Sequence, residues 1–250
     1  MRRLFPSPAD DVDVAAAYAP RLTPRTAGLA SVRVNMIQSV DGAGTLEGRT
    51  GGLAGPADKA VFRTLRAAAD VVLVGAGTVR AERYGPVRLS EEQRSVRVAS
   101  GLSAVPPIAV VSVSCALDVE SPFFSKAEVR PVVVTAETAA PAVRARLAEV
   151  ADVVVAGESW VDLRAALGAL AERGWTNVLA EGGPTVVGEL VAGDLIDELC
   201  VTLSPRLVGG EAPRIAHGQP REGPIPLRLL VLLEDDGFLF ARYGRAAHPS

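Results

Sequence analysis

The chain contains few residues of the types that build metal centres and disulfide frameworks. Only two cysteines, Cys115 and Cys200, occur among its 250 residues, far apart and outside any C-x-x-C motif. We therefore expect two buried free thiols, as in a protein of the reducing cytoplasm. The two histidines, His217 and His248, lie among glycine, glutamine and proline, which indicates surface loops. The sequence thus predicts a cytoplasmic protein without a metal site.

Long apolar runs and an excess of one charge are also lacking. Stretches such as Val71–Val74 and Leu229–Leu233 are far shorter than the roughly 20 residues that a helix needs to cross a bilayer. The first residues, MRRLFPSPADD, carry no apolar segment of the kind found in a secretory signal. With 26 basic and 29 acidic side chains the net charge is -3, so no positive field attracts nucleic acid. We expect neither a membrane nor a nucleic acid as partner.

Apolar residues make up 48% of the chain, which is enough for a large core, and they fall in short segments. Pro56–Ala69 has the apolar spacing of a helix, and its proline suits the first helical position. Val71–Val74 follows as a fully apolar segment, typical of strands in a buried parallel sheet. Similar pairs recur as far as Thr185–Val191. The alternation predicts an α/β fold with a mostly parallel central sheet and helices on both faces.

The C-terminal part has a different pattern. Leu227–Leu233 and Phe238–Tyr243 flank Glu234-Asp235-Asp236-Gly237, and Asp-Gly between apolar segments is typical of a hairpin. We expect this hairpin to form an antiparallel edge of the sheet. Residues 1–30, rich in proline and alanine, are expected to form an N-terminal extension. Residues 31–250 are expected to form the main domain.

The strongest local motif joins a buried strand to a helix through an acid and two glycines. It runs from Val178 to Thr185, with Glu181 at the strand end and Gly182-Gly183 after it. Glycines let a ligand approach the backbone, and the amides at a helix start favour phosphate. Ligands of open α/β sheets bind at the carboxyl ends of strands. A tight turn that needs glycine for its dihedral angles explains this segment alone about equally well.

A second glycine turn, Gly75-Ala76-Gly77-Thr78-Val79-Arg80, begins like the dinucleotide fingerprint G-x-G-x-x-G. Arg80 occupies the third glycine position, and no strand ending in an acid follows at the expected distance, so the fingerprint is weak. Two such turns can still hold the two ends of an extended dinucleotide. Arg80 and Arg83 would then match a 2′-phosphate, although surface arginines on a helix usually have no such specific role.

Two further features carry polar groups. Asn35–Gly42 leaves a strand through a polar turn with Asp41, for which an ordinary turn is the simpler interpretation. Arg66 lies late in the first core helix, where a basic residue usually extends its charge into solvent. It becomes a ligand candidate only if it faces the same cleft as the three turns.

Taken in order, these segments resemble the reductase domain of bacterial riboflavin biosynthesis. The resemblance covers about residues 30–245 and implies a dihydrofolate-reductase-like fold. It also implies NADPH-dependent reduction of 5-amino-6-(5-phosphoribosylamino)uracil, with hydride transfer to ribose C1′. The matching motifs are N-M-x-x-S-x-D-G (35–42), G-P-x-D (55–58), L-R (65–66), V-G-x-G-T-V-R (74–80), L-x-E-G-G-P-T (179–185) and D-E-L-x-V-x-L-x-P-x-L-V-G-G (197–210).

The resemblance implies roles for individual residues. Glu181 would hold ribose hydroxyls or assist proton movement, with Asn35 and Asp41 completing a catalytic polar wall. The substrate would contact Thr50, Arg66, Arg88 and Glu181, with the two arginines near its phosphate. Together with the glycine turns, the resemblance predicts a cofactor site of Ile37, Gly75, Gly77, Thr78, Arg80, Glu82, Ser114, Gly182, Gly183, Pro184, Thr185, Val186 and Val187.

Several departures from the family pattern bear on the activity. Many bifunctional relatives have lysine in place of Asn35 and often aspartate in place of Glu82, so the residue expected near the reacting ribose differs from theirs. The zinc deaminase motifs H-x-E and P-C-x-x-C of those relatives are missing, so we expect reduction only. Dihydrofolate reductase activity and a non-catalytic NADP-binding role are the alternatives. A plain Rossmann dehydrogenase that prefers NAD is a weaker one.

The resemblance also implies a homodimer. The long apolar segment Leu195–Leu203 and the C-terminal hairpin are the candidate contacts. Both segments are equally compatible with simple core strands.

Overall fold

A ten-stranded sheet organises the protein in this computed structural model, which describes residues 1–246. His248, which the sequence assigns to a surface loop, lies outside the described residues. In chain order the strands are β1 (Arg2–Phe5), β2 (Ser31–Ser39), β3 (Val71–Gly75), β4 (Ile108–Val111), β5 (Val132–Thr135), β6 (Asp152–Val155), β7 (Asn177–Ala180), β8 (Glu198–Ser204), β9 (Leu227–Asp235) and β10 (Phe238–Arg245).

Most helices lie between strands, as expected for an α/β domain. None of the helices within residues 1–246 is long and apolar enough to cross a bilayer. The helices are α1 (Val14–Tyr18), α2 (Pro56–Ala68), α3 (Ala76–Ala81), α4 (Glu91–Ala99), α5 (Pro122–Ser125), α6 (Pro141–Ala148), α7 (Leu163–Glu172) and α8 (Pro184–Ala192).

The strands follow the order β1-β9-β10-β8-β2-β7-β3-β4-β5-β6 across the sheet. Every pair from β8 to β6 is parallel. Successive residues of β3 point to opposite faces, so Val72 belongs to the same core cluster as Leu65 of α2, and Leu73 to the same core cluster as Leu167 of α7. Because helices cover both faces of the sheet, every residue of β3 is buried, and neither face of this strand carries polar side chains. The predicted mostly parallel α/β sheet is confirmed.

The predicted C-terminal hairpin is also present, but its place in the sheet differs from the prediction. β9 and β10 pair antiparallel around Asp236 and Gly237, which both have positive φ angles (49° and 78°), as a tight hairpin turn requires. β10 lies inside, against β8. The outer edge is β1, where Arg3 faces Leu233 of β9, so the first residues of the chain cover the edge that we assigned to the hairpin.

The N-terminal segment is tied to the sheet by charged side chains. Arg21 donates two hydrogen bonds to the buried Asp70, at 2.9 and 2.8 Å. Arg25 donates to Asp197 just before β8. Residues 1–30 therefore lie against the sheet and contribute the strand β1 and the helix α1.

A buried charge cluster joins this segment to three strands. Glu198 accepts hydrogen bonds from Nε of Arg33 and from Nε of Arg242, the latter at 2.9 Å, and its side chain is only 2% exposed. The same arginines donate to backbone oxygens of Tyr18 and Ala17 at 3.1 and 2.7 Å. One carboxylate thus holds two buried cations, which in turn hold the end of α1.

Replacement of Glu198 by glutamine is expected to destabilise the fold strongly. The change leaves two buried guanidinium groups without a counter-charge, which costs about 3–5 kcal/mol. Urea unfolding measures the loss. Glu128→Gln, which breaks an exposed pair with Arg94, is the control and should change little. A Glu198→Gln protein as stable as the control would contradict this account.

Candidate active site at the carboxyl ends of the parallel strands

The two glycine turns of the sequence touch each other. The backbone N–H of Gly75, at the end of β3, donates to the carbonyl of Gly182 at 2.7 Å. A Cβ atom on Gly183 would lie 2.6 Å from Oγ1 of Thr78, and one on Gly75 would lie 3.1 Å from Val186. Glycine is therefore required for the close approach of the two turns. The Gly182–Gly183 peptide is cis.

Two helices begin at this junction, α3 at Ala76 and α8 at Pro184. Gly77 and Thr185 are exposed, and Thr78 is half-buried, so the turns offer accessible backbone to a ligand. Of the other predicted cofactor residues of α8, Pro184 is half-buried, whereas Val186 and Val187 are buried in the core. The residues present therefore fit a phosphate-bearing cofactor through backbone amides and small side chains at the helix starts.

Glu181 lies beside this junction in a closed hydrogen-bond shell. Nε of Arg66 donates to Oε1, and Nη2 of Arg66 donates to Oε2, both at 2.7 Å. The hydroxyl of Tyr84 also donates to Oε2 at 2.7 Å. The Glu181 side chain is 1% exposed and that of Arg66 is 11% exposed. Two of the four predicted substrate residues, Arg66 and Glu181, thus lie together and bind each other.

Aromatic rings complete the surroundings of Arg66. Its guanidinium carbon lies 4.1 Å from the ring centre of Phe62 and 5.4 Å from that of Tyr84. Burial alone would lower the pKa of Arg66, but the charge and hydrogen bonds of Glu181 raise it above its usual value. Burial and the neighbouring Glu181 charge raise the pKa of Tyr84 well above its usual value. The guanidinium is therefore cationic and the phenol neutral at physiological pH.

Asn35 and Ile37 lie on β2, next to this cluster. Val34 and Ala180 are register partners in β2 and β7, so Asn35 and Glu181 are the next neighbours along the two strands. The half-buried Asn35 side chain makes no hydrogen bond to residues 1–246, and Ile37 follows it on the same face. The structure brings these two predicted residues to the same part of the sheet as Glu181.

Asp41, the third predicted catalytic residue, is engaged elsewhere. Its carboxylate accepts hydrogen bonds from the backbone N–H groups of Gly209 at 2.7 Å and Val208 at 3.2 Å, and from the Ser39 hydroxyl. The Ser39 hydroxyl and these amides lower the pKa of Asp41 to about 2. The exposed side chain therefore joins the turn after β2 to the loop after β8. The structure gives it an anchoring contact and none with Glu181.

Other predicted residues form two small groups. Glu82 accepts hydrogen bonds from the backbone and the hydroxyl of Thr50 at 2.7 and 3.1 Å, which ties the loop after β2 to α3. Arg80 donates to the carbonyl of Ala116 at 3.1 Å, in the turn where Ser114 also lies. Each group thus joins α3 to a neighbouring loop at the carboxyl end of a strand.

Arg88 is not brought to this cluster. It lines a cavity of about 770 Å³ between α1, α2 and α4, together with Arg63. Arg63 also lies on α2 but donates no hydrogen bond to Glu181. The residue of α2 that binds Glu181 is Arg66. The predicted contact of Arg88 with the substrate phosphate stays a prediction.

Two residues of this region had no role in the sequence analysis. Tyr84 is one, and nothing in its local sequence distinguishes it from a core aromatic residue. Asp58, in the first turn of α2, is the other: burial raises the pKa of its carboxyl above the usual value. An acid in the first helical turn is ordinary in sequence, so only its burial marks it as unusual.

The geometry defines a class of protein. It is a mostly parallel α/β domain with a ligand rim at the carboxyl ends of its strands, formed by two helix starts and a buried acid. No group of three metal-ligating side chains lies close together within the described part of the chain.

Comparison with known proteins gives the family. The family model described as the RibD C-terminal domain matches residues 30–235, so the chain belongs to that family. It is 30% identical over 190 residues to the 2,5-diamino-6-ribosylamino-4(3H)-pyrimidinone 5′-phosphate reductase of Archaeoglobus fulgidus, covering 75% of this chain and 86% of that protein. The reductase of the same name from Methanothermobacter thermautotrophicus is 29% identical over 183 residues, covering 73% and 81%. The chain is thus an oxidoreductase of the pyrimidine reductase family.

Solved structures agree with this assignment. A pyrimidine reductase-like protein from Corynebacterium diphtheriae superimposes with a TM-score of 0.83 at 28% identity, covering 94% of this chain and all (100%) of that chain. RibD from Acinetobacter baumannii gives a TM-score of 0.70 at 20% identity, covering 88% of this chain and 59% of that one. The second likeness concerns the fold alone. The family resemblance inferred from the ordered motifs is confirmed.

Replacement of Gly183 by alanine is expected to destabilise the junction. The new Cβ would lie 2.6 Å from Thr78 Oγ1. The threonine or the turn must then shift, and overpacking of this kind costs about 1–3 kcal/mol. Urea unfolding measures the change. Gly77→Ala is the matched control, because no atom lies within 4 Å of its new Cβ. Equal losses in the two variants would contradict the close contact of the turns.

Proposed function

We propose that the chain reduces a ribosylaminopyrimidine 5′-phosphate with NADPH in riboflavin biosynthesis. The observation that carries the proposal is the contact of Gly75 with Gly182 beside the Arg66–Glu181 pair. The two glycine turns would provide backbone N–H groups for phosphate, and the Arg66–Glu181 pair would form a buried, charged wall beside them. The family match favours this activity over dihydrofolate reduction, a non-catalytic NADP-binding role and a plain Rossmann dehydrogenase.

The cofactor side of the proposal uses the helix starts. A bound reduced nicotinamide would supply the hydride that the reaction requires. Gly77, Thr78 and Gly183 would hold the cofactor's phosphates through backbone N–H groups, because unpaired amides at helix starts favour anions. Ile37 would form an apolar side of the same cleft. Arg80 would meet the 2′-phosphate, since only one of its guanidinium nitrogens has a protein partner within residues 1–246.

The substrate side of the proposal uses the wall around Arg66. Asn35 offers an amide with no partner in the described chain, which suits the polar groups of a ribose or pyrimidine. Arg66 keeps Nη1 without a hydrogen bond among the described residues, and this atom is not among the fully buried ones. A guanidinium edge of this kind matches a phosphate oxygen. Thr50 would lie at the border of the same region, where its backbone N–H donates a hydrogen bond to Glu82.

Turnover tests the proposed activity. Purified protein with NADPH is given either 5-amino-6-(5-phosphoribosylamino)uracil, the substrate that the motifs imply, or the diaminopyrimidinone in the names of the relatives. Dihydrofolate is the third arm. We expect loss of NADPH absorbance with at least one ribosylaminopyrimidine and none with dihydrofolate. Turnover of dihydrofolate alone, or of no substrate, would contradict the proposal, and the ratio of the first two arms reports whether reduction precedes deamination.

Replacement of Arg80 by alanine tests the cofactor. A lost hydrogen bond to a charged group is worth about 1.5–3 kcal/mol, so the Kd for NADPH should rise roughly tenfold or more. The Kd for NADH should stay unchanged, because it has no 2′-phosphate. Fluorescence titration measures both constants, with Arg146→Ala on the exposed side of α6 as control. An equal loss for the two cofactors would remove Arg80 from the 2′-phosphate site.

We also propose a cytoplasmic homodimer. Both cysteines are free and buried, which supports a reducing compartment. Leu203 faces Leu239, and Leu199 faces Tyr243, on one side of the β8–β10 pair. These side chains are half-buried, while their neighbours along β8 are buried against the other face, so an apolar surface is available for a second copy.

Light scattering tests the dimer. We expect a mass twice the 26.0 kDa of one chain. Leu203→Glu should shift the protein towards the monomer, since a carboxylate at the centre of an apolar contact is desolvated without a partner. Leu207→Glu is the control, because this leucine is already 82% exposed. A wild-type mass of one chain would overturn the dimer.

A further inference from the structure

The shell around Glu181 engages both oxygens of its carboxylate. Oε1 accepts from Nε of Arg66, and Oε2 accepts from both Nη2 of Arg66 and the Tyr84 hydroxyl, each at 2.7 Å. The Glu181 side chain is 1% exposed. A group that transfers a proton must come within hydrogen-bond reach of the reacting atom. Every hydrogen bond that this carboxylate accepts within residues 1–246 comes from Arg66 or Tyr84.

Arg66 is the member of the cluster that keeps a solvent-accessible edge. Its side chain is 11% exposed, and Nη1 has no hydrogen-bond partner in residues 1–246. The other two nitrogens are fixed on Glu181 in a fork, the geometry that restricts a guanidinium most strongly. Glu181 therefore determines where the free Nη1 edge points.

Tyr84 contributes twice to this arrangement. Its hydroxyl donates to Oε2, which fixes the carboxylate, and its ring lies 5.4 Å from the guanidinium carbon of Arg66. Phe62 lies 4.1 Å from the same carbon. The long arginine side chain, which has many rotamers in solution, is held by a carboxylate and two rings.

We propose that Tyr84 and Glu181 are positioning residues that hold Arg66 towards the substrate, and that Glu181 takes no part in proton transfer. The inference rests on the proposed function, because it assigns Arg66 to the anionic phosphate of that substrate. It replaces the role that the motifs imply for Glu181, and it gives a role to Tyr84.

Steady-state kinetics of two variants test the roles. Tyr84→Phe keeps the ring and removes only the hydroxyl. We expect its KM for the ribosylaminopyrimidine to rise roughly tenfold, the effect of one hydrogen bond to a charged group. Its kcat and its KM for NADPH should stay within about twofold. Tyr18→Phe is the matched control, since this buried tyrosine makes no hydroxyl hydrogen bond within the described chain.

Glu181→Gln separates positioning from proton transfer. A positioning role predicts a raised KM and a kcat that falls less than tenfold. Loss of a general acid or base lowers kcat by about 10²–10⁴-fold at saturating substrate, and this result would overturn the proposal. In the double variant, Tyr84→Phe should add little to Glu181→Gln, because both changes act on the same carboxylate. Fully additive losses would also overturn it.

A measurement without substrate separates this inference from the proposed function. Hydrogen exchange of the Arg66 Nε–H, followed by NMR on the full chain, reports how firmly Glu181 holds the guanidinium. We expect slow exchange in the wild type and Tyr18→Phe, and faster exchange in Tyr84→Phe. Unchanged exchange in Tyr84→Phe would overturn the positioning role even in an active enzyme. Slow wild-type exchange in a chain without turnover would support the clamp and contradict only the proposed function.

Discussion

The contact between Gly75 and Gly182 is the constraint on which the candidate site depends. It joins the ends of two adjacent parallel strands so closely that a Cβ atom on Gly183 would lie 2.6 Å from Thr78 and one on Gly75 would lie 3.1 Å from Val186. Two helices must then start side by side, with their unpaired amides directed to the same rim. Glu181 precedes the second turn, so the same contact fixes the buried acid next to the helix starts.

The two buried carboxylates of the sheet illustrate how position determines role. Glu198 and Glu181 are both nearly inaccessible and both bind arginines. Glu198 begins β8 and lies level with Arg33 of β2, whereas Glu181 follows β7 and lies level with Asn35, two residues further along β2. Ligands of such sheets bind at the carboxyl ends of the strands. The same kind of ion pair therefore anchors α1 at Glu198, and lies beside the helix starts of the candidate site at Glu181.

Local features of the fold were predictable, and distant pairings were not. Buried valine segments followed by glycines predicted β3, β7 and the helices after them, because both signals lie within a few residues. The partner of Glu181 was not predictable, since Tyr84 lies 97 positions away and leaves no periodic trace. The sequence analysis predicted no helix at α4. This helix has no apolar stripe, and its Val96 is 61% exposed, so the Ser90–Gln93 capping box is its main local signal. Arg66 could be assigned a role only once the structure showed it bound to Glu181.

The pairing of β1 with β9 has a consequence for the order in which the newly made chain can fold. Arg3 is synthesised well before its partner Leu233, which lies about 230 positions later in the chain. Until β9 has been made, the β1 segment has no strand to pair with and is open to wrong associations. The pairing of β1 with β9 is thus expected to be a late step of folding, in which two segments far apart in the sequence complete the edge of the sheet.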